Sequence, residues 1–456
     1  MAAVLMPVFL DNLGYGIVIP VIAPIFLDVR GGVLPFSWSF GARTLALGLL
    51  IATYPAAAFF GAPILGSLSD KWGRRKLLLV ALLGTAVGYG VFGVGVLTGS
   101  LGLLFTGRLL DGFTGGNVSI IYSALSDLSS KKDRARNFGL VGAALGLGFI
   151  LGPYIGGRLT APHVTRWLQS PLQNWSVVSL WMGRIRDGVD GVGGWGMRGG
   201  LGELGGRLAD VVEMHPANTA FALPFWVAGA VGLLNVLLVW WRFPETLKKV
   251  TGGKMRWWQG ISDIKKVCGK ANLRVVFGAV FLLAFGFNFF VQFFPVFLVE
   301  KFGFGAVEIG DLFAYVGLWV AFSQIVLIGP LSAKWGTEGM LRKAVVLLGL
   351  TLPVLLLPRN PGELFLIVPM VAVLEGLIQT AYTAVVSEMA GDRSQGEILG
   401  INQSVQYLTQ IIPPVVAGVA VSVHLSLAIW VVVGSTFLAF LVLTQIGKRN
   451  GRISDA

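Results

Sequence analysis

The sequence predicts an all-α polytopic membrane protein with twelve transmembrane helices in two six-helix pseudo-symmetric bundles. Three observations lead there. Of 456 residues, 55% are apolar and only 13% are charged, about half the charged share of a soluble domain. The apolar residues gather into runs of about 20, the length that crosses a bilayer as a helix. The second half of the chain also repeats landmarks of the first at a nearly constant offset.

Taken in order, spanning runs are read at 2–27, 44–66, 77–98, 101–125, 138–159, 219–241, 274–298, 312–332, 341–357, 363–386, 399–421 and 424–446. Met1 leads almost directly into the first run with no basic segment before it, so a retained helix is expected rather than a signal peptide. The first six runs make an N-terminal bundle over 1–241, a basic cytoplasmic linker follows at 242–273, and 274–456 make the C-terminal bundle. The external connection at 158–217 is long, and eleven of the twenty-four residues from 183 to 206 are Gly, a composition that resists a packed core. With Trp167, Trp175, Trp181 and Trp195 placed to touch the membrane interface, it reads as a flexible or partly helical insertion without a transport role. A lid or a partner-binding segment is the other reading.

Placing both termini in the cytoplasm puts 24 of the 35 Lys and Arg residues on that side, among them Lys71, Arg74, Arg75, Lys76, Lys131, Lys132, Arg134 and Arg136. The net charge of +12 then follows the positive-inside rule and needs no nucleic-acid partner. The lone Cys268 excludes an intramolecular disulfide and a multi-thiolate metal site. His163, His215 and His424 stand far apart, so no metal centre is expected. Glycine triplets at Gly88, Gly90 and Gly93 and at Gly191, Gly193 and Gly196 lack the strand–turn–helix context of a dinucleotide site. Neither a P-loop for ATP nor a nucleophile elbow occurs. The expectation is a protein with no cofactor and no enzymatic activity, driven by an ion gradient, the substrate gradient or another subunit.

The repeat is specific. The stretch from Gly66 to Gly73 returns from Gly329 to Gly336, at an offset of 263, and Asp111-Gly112 returns as Glu375-Gly376 at 264. Ser126-Asp127 is echoed by Ser387-Glu388, and Gly139, Gly152, Pro153 and Gly157 align with Gly400, Pro413, Pro414 and Gly418 at an offset of 261. Parallel six-helix repeats with a pathway between them are one architecture of secondary transporters, which rock one half against the other.

Five motifs carry a family resemblance. Gly66, Leu68, Asp70, Lys71, Gly73, Arg74, Arg75 and Lys76 match the signature loop of the major facilitator superfamily between spans two and three. Arg108, Asp111, Gly112 and Gly115 in span four resemble its intramembrane arginine motif. Gly139, Gly148, Gly152, Pro153, Gly156 and Gly157 in span five resemble the pattern of its proton-coupled antiporters. Asp11, Gly14, Gly16 and Pro20 in span one are similar to the opening of tetracycline and multidrug efflux proteins, and Pro244, Glu245 and Thr246 close span six as they often do there. The chain is thus identified, over nearly its whole length except 158–217, as resembling the twelve-span drug:proton antiporter branch. It departs where tetracycline exporters carry an Asp in span three, since Gly88-Tyr89 stand there; Ala333 in place of the Asp of the second-half signature is common in those exporters.

The candidate residues fall into three groups. Asp70, Arg74 and Asp127, with Gly66 and Gly73, sit at cytoplasmic helix ends, where charges can latch helices in one state and release them in another; the resemblance implies that Asp70 and Arg74 stabilise the outward-facing state. Arg75 and Lys76 also read as topology-setting charges. Arg108 carries its charge inside an apolar span, which costs several kcal/mol unless it meets a partner or water, and Asp111 three residues on shares its face. That pair either locks span four or exchanges its partner for a proton or a substrate charge. A carboxylate inside the bilayer can carry a proton, which makes Asp11, Asp111 and Glu375 the coupling candidates, although Asp11 also reads as a snorkelling or capping group. Glu375, Gln379 and Tyr382 form an i, i+4, i+7 stripe that lines a cavity or bonds a neighbouring helix, and Asn117 and Gln292 are further polar candidates. Gly148, Gly152 and Gly156, spaced by four, permit close helix approach, and Pro153 bends the helix, a pattern suited to a gate.

The expected function is a proton-coupled efflux antiporter of a small hydrophobic or amphipathic compound. A uniporter or symporter of a metabolite, and a receptor or scaffold of the same fold, are the rivals. A monomer in the plasma membrane, with protons, a small-molecule substrate and the lipid bilayer as partners, completes the expectation.

Overall fold

The computed structural model describes residues 2–28, 32–128, 134–164, 216–247, 261–262, 264–265 and 271–454. Most of the 158–217 insertion and of the 242–273 linker lies outside them. Every longer element among the described residues is helical: α1 (Ala2–Leu27), α2 (Phe40–Trp72), α3 (Arg74–Thr98), α4 (Leu101–Gly115), α5 (Val118–Leu128), α6 (Arg134–Leu159), α7 (Pro216–Arg242), α8 (Ala271–Phe302), α9 (Ala306–Phe322), α10 (Ile328–Thr351), α11 (Pro361–Val423) and α12 (Leu427–Ser454). Local sequence starts several of them. The side chains of Ser39 and Asn360 accept the backbone N–H three residues on, at 3.3 and 3.0 Å, as helix caps do. Gly99, at φ 65°, ends α3 in the left-handed turn that glycine adopts freely.

Ten described stretches are long and apolar enough to cross a membrane, and two irregularities bring the count to the expected twelve. Ala306–Leu356 is 51 residues long, far beyond the roughly 20 that one crossing needs; it bends back at Gly336, whose φ is 68° and ψ 163°. The run at 101–125 is not one helix but α4 and α5. The break falls at Gly116 and Asn117, where the Asn117 N–H bonds Thr114 O at 3.1 Å and the next turn restarts on Asn117 O. Its cause is close approach to α2, since a Cβ on Gly116 would lie 2.5 Å from the Ala62 nitrogen.

The eighth span also departs from expectation: it begins at Ala306 and runs through a π-helical turn at Ser323–Leu327. The tenth and eleventh runs share the helical label of α11, yet Gln406 Nε2 donates to Tyr382 Oη at 3.3 Å. Twenty-four residues of straight helix would separate them by about 36 Å, so the chain folds back between Pro361–Tyr382 and Asn402–Val423.

One end of the bundle carries the basic loop between α2 and α3, and is here the basic end; the opposite, far end carries Phe26, Gly99 and Leu356. Toward the far end the apolar core is continuous across both halves, joining Phe26, Leu47 and Phe92 to Phe293, Ile309 and Leu348. Toward the basic end most of it divides, although Ala58, Phe59 and Ala62 of α2 still pack with Tyr407 of the second half. Val4, Leu65, Leu78, Ile121 and Phe243 form one cluster in the first half, and Phe277, Val280 and Val405 another in the second.

Candidate functional site

At the centre of the first half, α4 presents Arg108 and Asp111 three residues apart, with 4% and 2% of their surface exposed. Arg108 Nη1 donates to Asp111 Oδ2 at 3.4 Å, and the guanidinium lies 5.2 Å from the centre of the Phe92 ring, a favourable seat for a desolvated cation. Burial to this depth demands the pairing that the i, i+3 spacing supplies. Arg108 Nε is buried without a hydrogen-bond partner among the described residues.

The α4–α5 break brings Asn117 into the same centre. Fully buried, it donates from Nδ2 to Asp11 Oδ2 at 3.4 Å, while its Oδ1 has no partner among the described residues. Asp11 therefore faces inward onto α4–α5 rather than snorkelling toward the membrane surface. Tyr15 and Tyr54 pack with ring centres 5.4 Å apart, and Tyr15, Tyr54 and Tyr89 all lie within electrostatic reach of Asp111. Gly88 explains the missing span-three acid, because a Cβ there would stand 2.9 Å from the Asp111 Cβ. Two carboxylates and one guanidinium share this space, so one proton makes the group neutral.

The second half repeats the scheme with different chemistry. Gly112, after Asp111, meets α2 so closely that a Cβ would lie 2.3 Å from Tyr54 O; Gly376, after Glu375, meets the π turn, where a Cβ would lie 2.1 Å from Ser323 Oγ. Glu375 is half-buried and, among the described residues, has no charged neighbour acting on it. Gln379 is exposed, and Tyr382 accepts from Gln406. The stripe thus holds both a helix-bonding member and an exposed one. Gln292 on α8 buries an Oε1 without a partner among the described residues. Most of the α8 phenylalanines pack in the core, with Phe289 and Phe293 almost fully buried. No described ion pair or hydrogen bond joins Glu375 to Asp11, Arg108 or Asp111, so the acids form two centres, one per half. No cluster of three His, Cys, Asp or Glu suited to a metal occurs among the described residues.

At the basic end, Arg74 gathers the residues expected to form a latch. Its Nη1 meets Asp70 Oδ1 at 2.5 Å and Ser69 Oγ at 2.6 Å, and its Nε meets Asp127 Oδ2 at 3.4 Å. Gly66 lets α5 approach, with Ser119 Oγ 3.4 Å from the position of a Cβ. Glu245, quoted above only as part of the span-six ending, caps α3: its carboxylate accepts the backbone N–H groups of Arg74 at 2.9 Å and Arg75 at 3.2 Å. Thr246 donates to Asp127 at 3.4 Å. All these contacts lie within the first half.

On α6, Gly148, Gly152 and Gly156 bear on α1 rather than on the opposite half. Added Cβ atoms would stand 2.9 Å from Phe9 O, 2.6 Å from the Gly16 Cα and 1.9 Å from Ile17 O. The contact with the second half is made by their neighbours, where Gly310 on α9 would put a Cβ 2.5 Å from Pro153 O. Sequence reasoning missed Tyr54 and Tyr89, the capping role of Glu245, and the buried Arg43, whose guanidinium ties Phe26 O, Pro35 O and Trp38 O together at 3.0, 2.7 and 3.2 Å. Only Arg43 had a readable signal, a cation at the start of an apolar span.

Two packed halves that share a core at one end and part at the other, each with a carboxylate inside a spanning helix, define a membrane transporter built by duplication. A sequence profile of the Major Facilitator Superfamily matches residues 4–171, 194–414 and 276–450, and the chain belongs to that superfamily. It is 25% identical over 451 residues to the class H tetracycline resistance protein of Pasteurella multocida, covering 97% of this chain and 94% of the relative. It is 24% identical to the quinolone resistance protein NorA of Staphylococcus aureus, over 97% and 95%.

Among solved structures, the human organic anion transporter MFSD10 (TETRAN) superposes with a TM-score of 0.64 at 20% identity, covering 97% and 98%. The xylose transporter XylE of Escherichia coli also gives 0.64, at 16% identity with 97% of each chain covered. The protein is a multi-pass integral membrane transporter of a small-molecule substrate and not an enzyme.

Proposed function

We propose that this transporter is a proton-coupled efflux antiporter of a small hydrophobic or amphipathic compound, working by alternating access in the plasma membrane with both termini in the cytoplasm. The observation that carries the reading is the buried Arg108–Asp111 pair with Asp11 held nearby by Asn117. Three charges in one buried space are neutral only with one proton bound, so an arriving cation or a change of solvent access displaces or admits that proton. Glu375, without a counter-ion among the described residues, is the second proton or cation site. The names of the relatives, resistance proteins toward tetracycline and quinolones, support efflux. The proton gradient serves as energy source and no cofactor is invoked.

The test uses purified protein in liposomes containing a pH-sensitive dye, an imposed proton gradient, and lipophilic cations, tetracyclines and sugars added one at a time. A compound-dependent proton flux is expected, falling at least about tenfold, the effect of roughly 1.4 kcal/mol, in Asp111→Asn and in Glu375→Gln. Solute equilibration that leaves the gradient untouched would replace antiport by uniport. Sugar-driven proton flux in the same direction as the sugar would replace it by symport.

A further inference from the structure

The two halves meet at the far end along two seams. On one, α2 packs on the second stretch of α11: Thr44 Oγ1 donates to Gly418 O at 3.0 Å, and a Cβ on Gly48 would lie 2.2 Å from Pro414 O. On the other, α6 packs on α9, where a Cβ on Gly157 would lie 2.5 Å from Ala306 O and 3.2 Å from the Gly310 Cα. Apart from the Thr44 hydroxyl, these are close approaches of backbone to backbone that carry no charge.

At the rim of the second seam stands Arg158, one residue beyond Gly157. Its Nη2 reaches both carboxylate oxygens of Asp311, at 3.0 and 2.9 Å, and its guanidinium is steadied 5.3 Å from the centre of the Tyr154 ring. The side chains are 47% and 36% exposed. Among the described residues this is the one ion pair joining the two halves; Arg74 with Asp70 and Asp127, Arg108 with Asp111, and Arg342 with Glu338 each stay within a half.

We propose that the Arg158–Asp311 pair is the far-end latch of the transporter, holding the two seams shut in this state and breaking each time that end opens. The seams are held by close fit, one hydroxyl hydrogen bond and the shared far-end core, and two surfaces that must part repeatedly cannot be glued by deep apolar burial alone. A half-exposed ion pair is suited to the task. It is directional, it forms when the helices are in register, and water takes up both charges when it breaks, so opening costs little. The inference rests on the two-half architecture alone and not on the cargo or the proton coupling proposed above, and its test needs neither.

The test reads closure on the other seam, away from the pair. In a Cys268→Ser background, Gly41→Cys and Ser422→Cys place thiols where an added Cβ on Gly41 lies 3.1 Å from the Ser422 Cβ, near the separation that a disulfide uses. Oxidative cross-linking of the full chain in liposomes then tracks the closed population. Arg158→Gln and Asp311→Asn are each expected to slow it about two- to fivefold, the range for a half-exposed pair, and the exchange Arg158→Asp with Asp311→Arg to restore it. Raised salt should slow cross-linking in the parent by screening the pair and have no such effect in Arg158→Gln. Unchanged cross-linking in both single variants, an exchange no better than the singles, or a salt effect that persists in Arg158→Gln would each overturn the latch.

Discussion

Gly73 shows how far one residue's conformation can depend on another remote in sequence. Its φ of 97° costs a side-chain-bearing residue about 1–2 kcal/mol, and a Cβ there would stand 2.5 Å from Glu245 Oε2. Gly73→Ala is therefore expected to lose both backbone ease and the cap on α3, lowering stability by about 2 kcal/mol or more. In a Glu245→Ala background the steric part disappears, so the added loss shrinks to the backbone share. Thermal melts of the four proteins in detergent give the coupling, and strict additivity would refute the contact. Asp70, Arg74 and Asp127 were legible as a group because helix-end charges at motif spacing have few places to go. Glu245 was not, since its use as a cap depends on where α7 delivers residue 245 in space. Tyr54 and Tyr89 were missed for the same reason: a tyrosine in an apolar span carries no sign of which acid it will face.

Spanning helices were legible wherever apolarity and length sufficed, and were misread where packing overrode them. In the run 101–125 the breaker Gly115-Gly116-Asn117 is present, but the apolar length around it outweighs that signal until α2 crowds the site. The three-glycine pattern of α6 did announce close approach, but not the partner, which is α1 of its own half. The same helix supplies its own control. Gly142 and Gly146 have nothing within 4 Å of an added Cβ, whereas at Gly156 the Ile17 carbonyl is 1.9 Å away. Gly146→Ala is expected to be neutral or stabilising by about 0.5–1 kcal/mol through helix propensity. Gly156→Ala should push α1 and α6 apart and sharply reduce the folded yield in size-exclusion profiles; equal behaviour of the two would argue against this packing.

The halves share a far-end core and part at the basic end, so the described state is one of at least two that a working cycle needs. The cluster around Arg74 lies within the first half here, and Asp70 is the partner with the more exposed side chain, 42% accessible against 32% for Asp127. Removing that charge should shift the balance between states by about fivefold, the upper range for such a pair. Asp70→Asn is thus expected to slow turnover by that order while leaving substrate affinity nearly intact, as measured by binding and flux on the same preparation; unchanged turnover would dissociate the cluster from the cycle. Duplication itself was readable from offsets near 263, and its mark is deeper than the quoted residues. Gly73 and Gly336 both take positive φ, although Ala333 leaves the second loop without the first loop's acid.

The parallel contact of α1 with α6 has a mechanical meaning as well. Where backbone rests on backbone, no rotamer can change to absorb a displacement, so the two helices behave as one stiff plate. Asp11 on α1 and Arg158 near the far end of α6 both belong to that plate, so displacing either helix carries the other with it.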